Sequence, residues 1–393
     1  MSTALKAHGL DGSLVEPDWA PLAMPEIRAL LRHFPQCGNP LSILSASPRP
    51  FSAAAVVATQ TGPVFIKRHH QSVRDVEGLL EEHRFLNHLH VHGAPVPRVL
   101  MSESGESAIA ISEWVFEAHD VPKGIDLYSN ALSWTPFGSS VHAHAAGLAL
   151  ARLHQASAGF NAPARKPRPL VASFTIFAAQ NPEAELRSYL SERPALSNNP
   201  AVCTHAAQTL DLLAPFHADL LPHLPALTPL FTHNDLHASN LLWTNATLDA
   251  QTAAIIDFGL ADRTNAVHDL AHAIERNIVE WLVLVEDSAH PEKVPVHFDH
   301  LIALLDGYES IRPLSDEEAL ALAPMTALCH AEFALSEADY FLGVLHSQQK
   351  AAMAHDGWLI GHARWFKGDA GKRLLDFLGQ WAHMPRKRRV ESQ

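Results

Sequence analysis

The chain has 393 residues, of which 47% are hydrophobic and 18% are charged, and its formal net charge at pH 7 is −13. This balance excludes an intrinsically disordered chain. It also argues against a general nucleic-acid binder, because such proteins neutralise phosphates with an excess of Lys and Arg. The three cysteines are far apart and predict neither a disulfide framework nor a paired-cysteine metal site.

Targeting and membrane signals are weak throughout the sequence. The N-terminus lacks a basic segment followed by an apolar one, and the longest apolar candidate, residues 277–285, is interrupted by Glu280. We expect that no stretch approaches the roughly 20 apolar residues that span a bilayer. We therefore expect a soluble, cytoplasmic protein with neither a membrane nor a nucleic acid as partner.

The order of the predicted elements indicates an α+β fold with two lobes. Residues 1–39 read as a polar N-terminal extension that ends in a short helix. A small antiparallel β-rich lobe at 40–113 and a larger, mostly helical lobe at 114–393 follow. In the small lobe we predict strands at 41–45, 52–59, 63–67, 98–101 and 107–112, and one amphipathic helix at 73–90. Residues 114–136 read as irregular.

The most informative segment is His233-Asn-Asp-Leu-His-Ala-Ser-Asn240, followed by Asp257-Phe-Gly. Phosphoryl transfer needs a carboxylate beside the acceptor hydroxyl and oxygen ligands for the Mg²⁺ that bridges the phosphates. Asp235, Asn240 and Asp257 supply these chemical types in the order and at the spacing of a kinase catalytic loop and its metal-binding motif. We interpret them as one constellation.

These two motifs resemble those of the aminoglycoside phosphotransferase and choline-kinase-like family, which has a protein-kinase-like fold and phosphorylates small molecules. The resemblance implies that Asp235 is the catalytic base and that Asn240 and Asp257 bind Mg²⁺, with ATP or GTP as co-substrate. It also implies that His237 shapes the loop near the γ-phosphate. Asn234 stands where the family commonly has Gly, and Asn tolerates the same left-handed backbone.

Upstream residues fit the same chemistry. Lys67 ends the run Val64-Phe-Ile-Lys67, which matches the strand motif whose Lys meets the α- and β-phosphates. A buried Lys needs an anionic partner. Glu82 shares the apolar stripe of the 73–90 helix, whereas Glu81 points the opposite way, so we predict Glu82 as the partner of Lys67.

The remaining nucleotide contacts are harder to read from the sequence. The turn at 45–52 has no glycine, and we assign Ser47 and Ser52 to phosphate contacts, with shaping of the turn as the alternative. Residues 111–115, including Glu113 and Val115, are predicted as the hinge that meets the adenine, with a buried strand connection as the alternative. Histidines at i, i+2 spacing, such as His88 and His90, diverge on a helix and do not predict a metal site.

The acceptor is predicted to be small. Asp269 follows Asp257 by only twelve positions, and no anchor for a polypeptide substrate comes after it. We interpret Asp269 and His154 as structural residues. Acidic and aromatic residues of the C-terminal helices suit an ammonium group. These are Glu332, Glu337, Asp339, Tyr340, Asp356, His362 and Trp365.

The predicted function is therefore ATP-dependent transfer of the γ-phosphate to a hydroxyl of an amino alcohol or hydroxy amino acid, such as homoserine, hydroxylysine or a choline-like compound. Two alternatives stay open. In the first, the acceptor is a sugar or an aminoglycoside. In the second, the chain binds nucleotide as a regulatory module without turnover.

Overall fold

The computed structural model describes residues 7–8, 14–15, 17–47 and 49–385. The chain divides into two compact units, the first made of Met1–Gly124 and Ala254–Ile256, and the second of Ile125–Ala253 and Asp257–Gln393. The elements of the first unit, before Gly124, are β1 (Ala7–His8), β2 (Leu14–Val15), α1 (Met24–Leu31), β3 (Pro40–Ala46), β4 (Ala53–Thr59), β5 (Gly62–His70), α2 (Val76–Val91), β6 (Ala108–Ile111) and β7 (Trp114–Asp120).

A five-stranded antiparallel sheet with the order β3-β4-β5-β7-β6 forms the centre of the first unit. Because side chains alternate along a strand, the sheet has two different faces. One face buries Ile66 and Phe116 against Leu30 of α1. The other face packs Ala108 and Val115 against Leu79 of α2. The predicted α+β architecture of this region is confirmed.

Three boundaries differ from the sequence predictions. The segment 114–120, which we expected to be irregular and part of the helical lobe, is the strand β7 and pairs with β5 along its whole length. The first unit therefore extends to Gly124 instead of residue 113. The predicted strand at 98–101 makes only an isolated bridge from Val99 to His119. The helix that we expected in an N-terminal extension, α1, belongs to the core of this unit. Its apolar side chains pack on one face of the sheet and bury it.

The second unit is mostly helical, as predicted. Its helices are α3 (Ser140–Ser157), α4 (Pro182–Ser191), α5 (Pro194–Ser197), α6 (Pro200–Leu220), α7 (Ala266–Ile278), α8 (Trp281–Glu286), α9 (Phe298–Ile311), α10 (Asp316–Leu328), α11 (His330–Asp339), α12 (Gln348–Ala352), α13 (His362–Lys367) and α14 (Asp369–Ala382). Two π-helical segments, Tyr340–Val344 and Met353–Gly361, interrupt the C-terminal part. The short strands are β8 (Pro229–Thr232), β9 (Leu241–Trp243), β10 (Thr252–Ile255) and β11 (Asp262–Asn265), and they pair as β8 with β11 and β9 with β10.

Helices α3 and α9 approach each other closely at two glycines. A Cβ on Gly147 would lie 2.1 Å from the carbonyl oxygen of Leu304, and one on Gly307 would lie 2.2 Å from that of His144. Only a residue without a side chain fits at either position. This contact brings the C-terminal turn of α3, which carries His154, against Tyr308 of α9.

The helical stretch Asp316–Val344 is long and apolar enough to cross a membrane. This corrects our expectation that no stretch reaches that length and composition. Within its most apolar window, however, 89% of the stretch is buried inside the protein. Burial of this kind is typical of the core helix of a soluble protein, because such a helix is covered by its own chain.

Candidate active site

The loop that follows β8 carries the first predicted motif, and its backbone is held by one buried carboxylate. Asp269, at the start of α7, accepts hydrogen bonds from the backbone N–H of His233 (2.9 Å) and of Asn234 (2.7 Å). It also pairs with Nε2 of His154 at 2.9 Å, and Nδ1 of His154 lies 2.7 Å from the hydroxyl of Tyr308. Both Asp269 and His154 are therefore structural, as predicted.

Asn234 explains why this chain can dispense with glycine in the loop. Its φ is +61°, the left-handed backbone that the sequence predicted. Its side-chain amide donates to the carbonyl oxygens of Ala172 (3.0 Å) and Leu260 (3.3 Å), and its carbonyl accepts from the hydroxyl of Thr232 at 2.8 Å. The Asn side chain thus adds contacts that glycine lacks.

Asp235 lies at the centre of the loop and contacts Asn240 and Arg276. The Asn240 amide donates to its backbone carbonyl (2.9 Å) and to Oδ2 (3.2 Å). Oδ1 lies 3.2 Å from Nε of Arg276. Burial raises the pKa of Asp235, and the Arg276 guanidinium opposes that rise because it stabilises the anionic carboxylate. His237 is more distant, with Nε2 at 3.8 Å from Oδ2, and its Nδ1 lies 2.8 Å from the hydroxyl of Ser239.

Asp257 has a left-handed φ of +61° and an exposed side chain. Its negative charge also raises the pKa of Asp235, so the two carboxylates lie within electrostatic range of each other. The Asn240 nitrogen is used by Asp235, and its oxygen is the atom that a cation would take. The donor set of Asn240 and Asp257 is thus all oxygen, which fits Mg²⁺.

Sequence reasoning missed the residues of α7 that support Asp235. Arg276 is 2% exposed and lies over the rings of Phe333 (4.0 Å) and Trp134 (4.6 Å). The Asn277 amide donates to the carbonyl of Leu236 (2.8 Å), and its oxygen accepts from the N–H of Ala238 (3.0 Å). Arg276 follows Asp269 by seven residues, two helical turns, and this spacing was a signal that placed both on one face of α7.

The acidic residues predicted to line the acceptor pocket fall into different roles. Glu332 accepts backbone hydrogen bonds from Thr175 and from Ile176 (2.7 Å), so it fixes a loop. Asp356 is exposed and pairs with His205 at 2.7 Å. Among the others, Tyr340 and Trp365 are buried in the core, and Asp339 lies within electrostatic range of Arg193.

Glu337 is the predicted acid whose charge is coupled to Asp235. Burial raises its pKa to about 8, Arg276 lowers it, and the charges of Asp235 and Glu275 raise it further. Burial likewise raises the pKa of Glu275 to about 7, and one Glu275 oxygen lies 2.9 Å from Nδ1 of His362. A buried cation, Arg276, and a buried acid, Glu337, therefore lie within electrostatic range of Asp235.

In the first unit, Lys67 and Glu82 lie on the same side of the sheet. Lys67 belongs to β5. Val64 and Ile66 of this strand pack with the apolar residues of α1. Because side chains alternate along a strand, Lys67 lies on the opposite face, the α2 side. Glu82 of α2 is 4% exposed, whereas Glu81 is only half-buried, so the predicted inward face of the helix is confirmed. Their pairing stays a prediction.

The turn between β3 and β4 holds the two predicted serines. The N–H of Ser47 donates to the carbonyl of Ala54 at 2.8 Å, and the Ser47 hydroxyl accepts from the N–H of Arg49 at 3.2 Å. Ser47 thus shapes the turn, the alternative that we kept open. Ser52 is half-buried and directly precedes β4. Contact of either serine with phosphate stays a prediction.

Residues 111–115, which we predicted as the hinge, connect two strands of the sheet, and their contact with adenine stays a prediction. Ile111 and Trp114 are paired ends of β6 and β7, so Glu113 lies in a tight hairpin turn whose residue Ser112 has a φ of +56°. Val115 is buried against Leu79 of α2. The chain leaves the first unit at Gly124, after β7, because strand pairing continues to Asp120.

Solved structures with the same fold are known. A microcompartment-associated aminopropanol kinase is 17% identical (TM-score 0.56, covering 91% of this chain and 99% of that one). An amicoumacin kinase, solved with AMP-PNP, Ca²⁺ and its antibiotic, is 15% identical (TM-score 0.53, 87% and 96%). A spectinomycin phosphotransferase, solved with ADP and its antibiotic, is 12% identical (TM-score 0.50, 92% and 99%). The likeness confirms the predicted protein-kinase-like fold.

No curated protein sequence matches the chain significantly. The family model described as "Phosphotransferase enzyme family" matches residues 46–314, which is more than half of the chain and includes Lys67, Asp235, Asn240 and Asp257. The match confirms the resemblance that the two motifs suggested. The chain therefore belongs to the phosphotransferase enzyme family and is a small-molecule kinase.

Proposed function

We propose that this kinase uses ATP to phosphorylate the hydroxyl of a hydroxy amino acid, with the corresponding amino alcohols as poorer acceptors. The observation that carries the proposal is the pairing of opposite charges beside Asp235. Arg276 and Glu337 are both buried and both lie within electrostatic range of the catalytic carboxylate. An acceptor with a carboxylate and an ammonium group matches this pair.

Unused hydrogen-bonding atoms support the same conclusion. Nη2 of Arg276, Oε2 of Glu337 and Nε1 of Trp358 are buried and have no hydrogen-bond partner among the residues that the structure describes. A buried polar group without a partner costs about 1–3 kcal/mol. A zwitterionic acceptor satisfies the cation with its carboxylate and the acid with its ammonium group. A neutral sugar has no charge to offer either one.

Glu337 discriminates between acceptors by its protonation. Burial favours the neutral carboxylic acid and raises the pKa to about 8 although Arg276 opposes that rise, so a second cation close to the group would favour its ionisation further. An ammonium group supplies that cation and gains a charge-assisted hydrogen bond in return. The aromatic rings of Trp134 and Phe333 hold Arg276 in place from the side.

The catalytic roles follow from the loop geometry. Asp235 orients the acceptor hydroxyl and takes its proton as the oxygen attacks the γ-phosphorus in line. Arg276 opposes the rise in the pKa of this buried carboxyl and so favours its anionic form. Asn240 and Asp257 would hold Mg²⁺, which supplies positive charge to the phosphates when bound. Lys67, held by Glu82, orients the α- and β-phosphates, with Ser47, Ser52 and His237 as further contacts.

The fold itself does not choose the acceptor, because the structural neighbours include an aminopropanol kinase and a spectinomycin phosphotransferase. A sugar or aminoglycoside is therefore the second candidate. A regulatory module without turnover is disfavoured because Lys67, Asp235, Asn240 and Asp257 are all present. We place the protein in the cytoplasm, where ATP and GTP are both available.

The test measures ADP or GDP release with Mg-ATP and Mg-GTP against separate pools of hydroxy amino acids, amino alcohols, sugars and aminoglycosides. Asp235→Asn is the blank. We expect release with the hydroxy amino acids, with kcat/KM about 10–100-fold above that of the matching amino alcohols, since a charged hydrogen bond contributes about 1.5–3 kcal/mol. Equal turnover of neutral sugars contradicts the proposal.

Arg276→Gln tests the source of this preference. Because Arg276 also contacts Asp235, its loss lowers the rate with every acceptor, so the informative quantity is the ratio of kcat/KM between the amino acid and its amino alcohol. We expect that ratio to fall towards one. The matched control is Arg364→Gln on the exposed side of α13, which should leave the ratio unchanged. Binding of nucleotide without release in any pool would favour the regulatory alternative.

A further inference from the structure

A cluster of three histidines and one glutamate lies inside the first unit. The carboxylate of Glu117 is 1% exposed, and three imidazole nitrogens converge on it. Nε2 of His83 and Nε2 of His119 lie 2.7 and 2.8 Å from Oε2, and Nε2 of His69 lies 3.0 Å from Oε1. All three rings are buried as well.

The fold assembles this cluster from three elements. Glu117 and His119 are two residues apart on β7 and therefore share a face of the sheet. His69 lies opposite Val115 on the neighbouring β5, which places it on the same face. His83 comes from α2, which packs on that face through Leu79. The four residues are scattered along the chain, so no local spacing reveals them.

The atoms are spaced as a metal site requires. One ligand atom from each of His83, Glu117 and His119 lies within 4.8 Å of the others. Around a tetrahedral Zn²⁺ with bonds of about 2.0–2.2 Å, ligand atoms are about 3.3 Å apart, so each imidazole nitrogen would move about half an ångström away from Oε2 of Glu117 to admit the ion. Two imidazoles and one carboxylate are a known zinc donor set. Magnesium and calcium prefer oxygen donors alone.

Two further groups contact the donors. Nε2 of His69 lies 3.0 Å from Oε1 of Glu117. The Ser107 hydroxyl lies 2.8 Å from Nδ1 of His83 and fixes the orientation of that ring. Such supporting hydrogen bonds commonly accompany metal ligands.

We propose that His83, His119 and Glu117 form a Zn²⁺ site, with His69 and Ser107 holding the ligands in place. The ion ties α2 to β7. His83 follows Glu82 directly, so the site fixes the segment of α2 that we predict to hold Lys67. This role is independent of acceptor choice. The competing arrangement is a carboxylate that accepts hydrogen bonds from three imidazoles, with no metal.

The first experiment measures zinc in the purified full-length protein after dialysis with Mg²⁺ present, using inductively coupled plasma mass spectrometry. We expect about one zinc per chain in the wild type and none in His83→Ala or His119→Ala. His90→Ala, an exposed histidine of the same helix, is the matched control and should keep the metal. Asp257→Asn should also keep it, because that residue belongs to the predicted phosphate site.

The second experiment does not depend on ligand variants that fail to fold. Co²⁺ added to the metal-free wild type should give the strong visible absorption of a tetrahedral site, and Zn²⁺ should raise Tm because it binds the folded state. His69→Ala should weaken zinc affinity about 10–100-fold. A wild type without zinc and without a Co²⁺ spectrum overturns the proposal. So does zinc that persists in both His83→Ala and His119→Ala.

Discussion

The catalytic loop and the charged groups around Arg276 belong to the same unit, but their polar atoms are satisfied in opposite ways. Asp269 and Asn277 of α7 form hydrogen bonds to backbone groups of the loop with both polar atoms of their side chains. Beside it, buried atoms of Arg276 and Glu337 have no hydrogen-bond partner among the described residues.

The difference separates a scaffold from a binding site. A saturated network is rigid and holds Asp235 in one geometry before any ligand arrives. An unsaturated one is costly in the free protein and is completed by the acceptor. The four predictions below test whether this division is correct.

The largest effect is expected from Asp235→Asn. The amide keeps the shape of the side chain but cannot take a proton, and loss of a general base typically lowers turnover by about 10²–10⁴-fold. Nucleotide affinity should change little, because the predicted nucleotide contacts lie on other residues. Steady-state kinetics and calorimetric titration of ADP measure the two quantities. Full activity in this variant would remove Asp235 from the mechanism.

Asp269→Ala should mainly lower the free energy of unfolding, because Asp269 holds the backbone of the loop and is not predicted to contact the substrates. It leaves His154 and the N–H groups of His233 and Asn234 without their acceptor, and breaking a buried pair costs about 3–5 kcal/mol. Urea unfolding measures the loss. Asp376→Ala, which removes an exposed pair with Lys372 on α14, is the control and should leave the unfolding midpoint in place.

Gly147→Ala tests the support beneath the scaffold. The added methyl would meet the Leu304 carbonyl at 2.1 Å and push α3 from α9, which disturbs His154 and Tyr308. Overpacking of this kind costs about 1–3 kcal/mol. Gly379→Ala in α14 is the matched control, because its Cβ would meet nothing within 4 Å. Gly379→Ala should stabilise the protein by about 0.5–1 kcal/mol. In thermal unfolding, Gly147→Ala should therefore lower Tm and Gly379→Ala should raise it.

Glu337→Gln should change how stability depends on pH. Burial raises the pKa of Glu337 from 4.5 to about 8, so the folded chain holds a proton that the unfolded chain releases. The contribution is complete below pH 4.5 and is lost as the pH rises through 8. The wild type should therefore lose more stability between pH 5 and pH 8 than the variant. Exposed Glu183→Gln should follow the wild type, and identical slopes in all three would contradict the assignment.

Much of the site was predictable because its chemistry is local in sequence. The motif around Asp235 and Asn240, the following Asp257, and the left-handed Asn234 depend on residue types at short spacings. The alternation of β5 and the stripe of α2 likewise placed Lys67 and Glu82 on the same side of the sheet. Local patterns of this kind report which face a side chain occupies.

The errors arose where long-range contacts decide the outcome. Residues 114–120 have a mixed polar and aromatic sequence, including Glu117 and His119, and only pairing with β5 makes them a strand. Consequently Glu113 and Val115, which we predicted as a hinge, belong to the hairpin of β6 and β7. Glu332 reads like an acceptor ligand but is used by a distant loop at Thr175 and Ile176.

The sequence by itself determined that this chain is a phosphotransferase with Asp235, Asn240 and Asp257 in one motif set, because that chemistry requires fixed residue types at fixed spacings. Only the tertiary structure decided that Arg276 contacts Asp235, that Glu337 is the acid coupled to it, and that three distant histidines meet Glu117. Charges interact through space and not along the chain. Their partners therefore become visible only when packing brings the elements together.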